Sequence, residues 1–283
     1  MNRYNIVFNN QEKAKENWLE KNKEQKAKAY ADMEEMTELI RKDPDMFKKY
    51  LELQSKFNRY SSGNCLILLK NCPNAKQFKE REEWKRDGIT VNKDAKGFTF
   101  LKAHTKDDVT YFNAKTAYDI SETDAIVEEK VYNFNDNKLA TAFLNSCSVY
   151  VELKEEMENG LCAKYDKEQS KLFIAKNIDD RDEFFNQLSQ ELAYIQLSNE
   201  MSSEYKNFKA YCISYMICNK YGIDTSKYNF NSLPKEFISQ DSTQSIREEL
   251  NKIRESFEKI NNRIYDNLQK SVKQKEKKNV EVR

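Results

Sequence analysis

The sequence predicts an α+β fold: N-terminal helices and a small antiparallel sheet, followed by a mainly helical second half. Three observations support this. Gly (5) and Pro (3) are scarce in 283 residues, which argues against collagen-like, Gly-linker and turn-rich all-β chains. Long stretches near both ends place apolar residues at helical spacing. Between them, over 89–120, short apolar runs alternate with polar turns, the pattern of strands.

The elements follow in order. Residues 11–40 contain strong helix formers and no Gly or Pro, with Trp18, Tyr30, Met33, Met36, Leu39 and Ile40 as an apolar stripe. Asp43-Pro44 breaks that helix and starts the next, with Asp43 as N-cap and Pro44 at the first helical position. The second helix carries Phe47, Tyr50, Leu51, Leu53 and Phe57. Tyr60–Asn64 reads as a turn and Cys65–Leu69 as a short buried segment. A short helix around Trp84 closes at Gly88. Ile89 and Val91 suggest a strand. Lys96-Gly97 turns into the strand Phe98–Leu101, and Thr105–Asp108 turns into a strand from Val109. The acidic stretch 121–138 separates the halves, which divides the chain into a domain over 1–125, a linker over 126–138 and a domain over 139–283.

In the second half, Leu139–Met157 reads as one helix. Cys162–Tyr165 and Lys171–Ile174 read as a hairpin. Helices are expected over 181–198 and 204–221, the latter ending at Gly222, a natural C′ residue. From about 243, Ile246, Leu250, Ile253, Phe257, Ile260 and Ile264 recur at steps of 4, 3, 4, 3 and 4. That seam suits either a coiled coil or packing within its own domain.

Composition narrows the chemistry. No apolar run approaches the roughly 18 residues of a membrane span, and the N-terminal segment has no apolar h-region. The six cysteines form no C-x-x-C pair. The expectation is a cytoplasmic protein with reduced thiols and no membrane contact. The one histidine, His104, leaves His-based metal or nucleophile chemistry a single possible member. Net charge is +1 overall, but residues 41–120 carry 17 basic and 11 acidic residues, against 19 and 26 over 121–270. An anionic partner is therefore expected on the first half, unless the difference is ordinary scatter.

The run Phe57–Phe78, with Tyr60, Ser61, Asn64 and Pro73, followed by Trp84, Gly88, Lys96-Gly97 and Tyr118-Asp119, resembles the N-terminal single-stranded-DNA-binding domain of ArdC-type antirestriction proteins. The resemblance covers about residues 40–123. Lys70-Asn71 and Asp94-Ala95 depart from the family pattern. The second half resembles the zincin-like metallopeptidase domain that commonly follows, where a helix carries His-Glu-x-x-His and a later acidic residue completes the zinc site. Here those places hold Gln190, Glu191 and Tyr194, with Tyr211 at the third ligand, so only Glu191 survives.

The resemblance implies a single-stranded DNA partner and a mobile-element context such as a conjugative plasmid, plausibly antirestriction. Phosphate contacts fall to Arg59, Lys70, Lys93, Lys96 and Lys102, with Lys76 and Lys79 nearby in sequence. Ser61 and Asn64 would donate from the turn, and Tyr60 and Trp84 would stack bases, with Phe98 and Phe100 interleaved. Each residue has a structural alternative: Trp84 and Phe57 as core, Asn64 as a brace of the turn, the lysines as solvated surface. Without its histidines the second domain is expected to be no enzyme and to need no cofactor, with Glu191 a hydrogen-bonded relic. Two rival readings are a factor that docks a host or element protein, and a metallopeptidase with other ligands.

Overall fold

A computed structural model describes residues 3–126, 135–198 and 203–281, with side chains over 12–126, 135–198 and 205–270. It is an α+β structure of two compact units. The first comprises Met1–Leu39 and Gly63–Glu129, the second Ile40–Ser62 and Lys130–Arg283.

The first unit begins with α1 (Arg3–Lys42), whose Ala29, Met33 and Met36 are buried while Trp18, Tyr30 and Leu39 stay exposed. The expected apolar stripe is thus narrower than the sequence suggests. Beyond α2 (Pro44–Lys56), helix α3 runs over Ser62–Asn71. The expected turn at 60–64 therefore gives way to a helix from Ser62. Gly63 lets α3 approach Met33 of α1 closely, since a Cβ there would meet Met33 Sδ at 2.7 Å. Strand β1 (Phe78–Glu80) leads into α4 (Arg81–Arg86), then β2 (Phe98–Lys106) and β3 (Val109–Asp119). The sheet is antiparallel, in the order β1-β3-β2. Asp107 and Asp108, both at positive φ, form the two-residue turn that pairs Lys106 with Val109. The strand expected at 89–91 is a single bridge between Val91 and Thr123.

In the second unit, Asp43 caps α2 by accepting from the Asp45 and Met46 amides. The α2 ring of Phe47 sits 5.6 Å from Phe208, 5.8 Å from Phe230 and 5.3 Å from Phe237. This aromatic cluster places α2 with the second half: the units divide between Glu129 and Lys130, within the expected linker, but residues 40–62 fold with the second unit. Residues 127–134 of that linker lie outside the described residues, and 136–138 already form the first turn of α5 (Asp136–Asn145).

Helix α5 stops at Ser146, where a single helix to 157 was expected. The Ser146 hydroxyl and amide both bond the Phe143 carbonyl. Tyr150–Lys154 then forms β4, parallel to β6 (Lys171–Ala175). Strand β5 (Ala163–Asp166) pairs antiparallel with β6, as the hairpin pattern predicts. Helices α6 (Arg181–Gln196) and α7 (Ser203–Tyr221) pack together. The short α8 (Lys235–Ile238) precedes α9 (Thr243–Glu281). The seam of α9 from Ile246 to Leu268 is buried against α5, α6 and α7, so it serves its own unit.

Truncating Phe47 to Ala should cost about 3–5 kcal/mol of stability, as for other buried Phe side chains. Hydrogen exchange should quicken in α7 while β2 and β3 keep their protection. Equal loss of protection in β2 and β3 would contradict the assignment of α2 to the second unit.

Candidate functional site

The nine residues assigned to nucleic acid divide between the units. Asn64, Lys70, Trp84, Lys93, Lys96 and Lys102 belong to the first, and Arg59, Tyr60 and Ser61 to the second. The charge contrast divides differently from the sequence windows. The first unit contains 18 basic and 20 acidic residues and the second 30 and 27, because the basic segment 40–62 folds with the second.

Within the first unit most of the assigned side chains are occupied. Asn64 accepts the Leu101 amide and donates to the Leu101 carbonyl, both at 2.8 Å, so it clamps α3 to β2. Lys70 pairs with Asp32 at 3.0 Å and with Glu35. Lys102 pairs with Glu80. Trp84 is 1% exposed; its indole donates to the Tyr118 carbonyl at 2.9 Å and its ring carries the Lys79 ammonium at 4.9 Å. It is a core residue, not a stacking platform. Phe98 and Phe100 are also buried, edge-on to Phe78.

The turn at 92–97 brings Lys93 and Lys96 together, both exposed. Neither forms an ion pair among the described residues. The backbone of this turn is occupied, however. Glu122 accepts the Lys96 and Gly97 amides with one oxygen, each at 3.0 Å, and the Asp119 amide at 3.2 Å with the other. Gly97 sits at φ +60, and a Cβ there would meet the Ala117 carbonyl at 2.6 Å. A phosphate at this turn would therefore meet lysine side chains, since a carboxylate already holds the amides.

The exposed aromatics lie elsewhere. β2 and β3 extend past the three-residue β1 into a two-stranded arm ending at Asp107-Asp108. Val109, Tyr111 and Phe112 are exposed there, with His104 opposite Tyr111. Sequence reasoning missed this arm as a site. Its one sequence signal is the apolar, aromatic run Val109–Phe112 directly after a polar turn.

In the second unit, Phe57 is core, and Tyr60 meets it edge-on at 6.3 Å. Arg59 and Ser61 are exposed. On α6, Glu191 is buried and accepts the Tyr165 amide at 2.9 Å, with Lys164 Nζ at 3.7 Å. Burial pushes its carboxyl above the usual range, against the pull of the Tyr165 amide and Lys164. Gln190 donates to the Tyr194 hydroxyl at 3.5 Å, one helical turn away. Tyr211 accepts the Asn229 amide at 2.6 Å and packs on Tyr228 and Phe230.

No protein-family model matches the chain, and no curated protein matches it. Among solved structures, the Mn(II)-bound crystal structure of the antirestriction ArdC protein from the R388 plasmid has a TM-score of 0.50 at 15% identity. The match covers 74% of this chain and 85% of that one. The metal-free structure of the same protein gives 0.49 at 15% identity, over 73% and 86%. The chain has an ArdC-like fold.

The zinc site that the sequence resemblance implies gives a test of the donor set here. A catalytic metal needs about three protein ligands and an open position. Gln190, Tyr194 and Tyr211 offer a carboxamide and two phenols, two of them engaged with each other and the third with a backbone amide. Among the described residues, no group of three His, Cys, Asp or Glu side chains could hold a metal. The residues do not fit a His-Glu-x-x-His centre.

Two measurements check this site. Trp84→Ala should lower stability by about 3–5 kcal/mol, read as a shifted denaturation midpoint. Glu191→Gln should raise the melting temperature at neutral pH. A carboxyl with a raised folded-state pKa stabilises most below its unfolded pKa and loses that contribution as pH rises. The advantage of the Gln variant should therefore shrink as pH falls toward about 4.

Proposed function

We propose that this chain is a single-stranded-DNA-binding protein of antirestriction type, carried by a mobile element, whose second unit is not a peptidase. The observation that carries the reading is the ArdC-like fold. The relative is named as an antirestriction protein of a plasmid. Two features of the first unit support the DNA part. Lys93 and Lys96 stand together on one exposed turn, and the β2–β3 arm exposes Tyr111 and Phe112 beside Lys106 and His104. Unpaired cations and exposed aromatic faces are what a single strand requires. The non-peptidase part rests on the poor donor set at 190, 194 and 211. No described helix is long and apolar enough to cross a membrane.

A gel shift of the full chain on single-stranded and duplex DNA tests this. Binding should favour the single strand and fall steeply between about 50 and 200 mM salt, because phosphate contacts release counterions. Lys93→Ala and Lys96→Ala should weaken binding for all sequences alike, each flattening the salt slope by about 0.7. Tyr111→Ala should cost about 1–3 kcal/mol of binding with little change in slope. Absence of a shift at low salt would sink the reading. About one zinc or manganese per chain after chelator dialysis would overturn the non-peptidase part.

The apolar end of the arm favours a second reading, in which Val109, Tyr111 and Phe112 dock a host or element protein. The 18 basic and 20 acidic residues of the first unit are consistent with it. Tyr111→Ala would then abolish capture of that partner and leave DNA binding unchanged.

A further inference from the structure

A cavity of about 230 Å³ opens on the second unit, lined by the segment after α2, the last turn of α7 and the middle of α9. Its wall contains no acidic residue. It holds two cations, Lys220 and Arg59, and the carboxamides of Asn58 and Asn261. The Lys220 ammonium donates to the Ser55 carbonyl at 2.9 Å and to Asn58 Oδ1 at 3.1 Å. An ammonium has three N–H donors. The third has no acceptor among the described residues.

The carboxamides are oriented in the same way. Asn58 Oδ1 is taken by Lys220, and Asn261 Oδ1 by the Tyr221 hydroxyl at 3.1 Å. Each therefore leaves its NH₂ group, with no protein acceptor among the described residues. Arg59 is exposed and forms no ion pair among them. The cavity thus offers these four donor groups, with the exposed Asn262 carboxamide beside them, and two positive charges, with no carboxylate to neutralise them. A buried cation is normally paired. Lys220, half-buried, has no carboxylate partner and only the Phe257 ring 5.9 Å from its ammonium, and burial beside Arg59 pushes its pKa down to about 8. A bound anion would supply the missing counter-charge. Tyr265, 49% exposed, adds a flat ring to the same wall.

We propose that this cavity binds the phosphate of a nucleotide, with the phosphoryl oxygens on Lys220, Arg59 and the two carboxamides and the base against Tyr265. A phosphate monoester suits the donor count better than a carboxylate, because it presents three acceptor oxygens. The phosphate could belong to a free nucleotide or to the end of a DNA strand. The proposal is built from the second unit alone and does not depend on the DNA reading of the first.

Calorimetric titration of the full chain with dAMP, deoxyadenosine and inorganic phosphate tests it. The expected result is dAMP binding at least about tenfold tighter than deoxyadenosine, since the nucleoside lacks the charged acceptor. Arg59→Ala should weaken dAMP binding by about tenfold, and this exposed residue can be changed without loss of fold. Lys220→Met should weaken it further, with circular dichroism confirming the folded state. Tyr265→Ala should weaken dAMP but not inorganic phosphate. A 5′-phosphorylated oligonucleotide that displaces dAMP, where its 5′-hydroxyl counterpart does not, identifies a strand end as the source. Failure to displace identifies a free nucleotide. Equal affinity for dAMP and deoxyadenosine, unchanged affinity in Arg59→Ala, or no dAMP binding at about 1 mM would overturn the proposal. A negative gel shift would leave it standing, because the mononucleotide titration does not read strand binding.

Discussion

The first unit depends on two acidic side chains that hold backbone amides. Asp119 accepts the Lys76 amide at 2.8 Å and the Gln77 amide at 3.1 Å with one oxygen, and the Ser121 amide and hydroxyl with the other. Glu122 accepts the amides of Lys96, Gly97 and Asp119. Loop amides cannot satisfy one another as ladder amides do, and leaving them unpaired in a partly buried place costs free energy. Two neighbouring carboxylates at the end of β3 thus fix the approach to β1 and the turn into β2. The arm of β2 and β3 is aimed by that arrangement.

The same device recurs in the second unit with a different outcome. Helix α6 lays Gln187 and Glu191 along edge strand β5. Gln187 accepts the Cys162 and Ala163 amides at 2.7 and 3.3 Å, and Glu191 accepts the Tyr165 amide. Edge amides invite pairing with another chain unless they are covered. Here the covering groups come from the helix that carries the 190–194 positions. Glu191 is therefore engaged in holding a strand, with its carboxyl buried against the Tyr165 amide.

Carboxylates used in this way also explain where positive charge remains available. Lys70 and Lys102 are neutralised by Asp32, Glu35 and Glu80. Lys209 is buried against Glu249 at 2.7 Å. Lys93, Lys96, Arg59 and Lys220 stand apart from this pattern, and both binding proposals rest on them.

Local chemistry alone determined much of the secondary structure. Asp43-Pro44 caps and opens a helix whatever surrounds it, Gly222 at φ +67 ends another, and the 4-3-4 recurrence of Ile246 to Ile264 leaves a helix one face to bury. The absence of a His-Glu-x-x-His pattern at 190–194 and the aromatic-Ser-Asn run were also legible, because residue identity is what they consist of. Tertiary structure decided the rest. Tyr150–Lys154 is a strand because β6, distant in sequence, offers a parallel partner. Helix α2 joins the second unit because Phe47 finds three rings there. Whether a lysine is free or paired, and whether Trp84 stacks or packs, depends on which carboxylate or carbonyl the fold brings within reach. Sequence supplies the charge and the ring; only the chain's long-range contacts supply their partners.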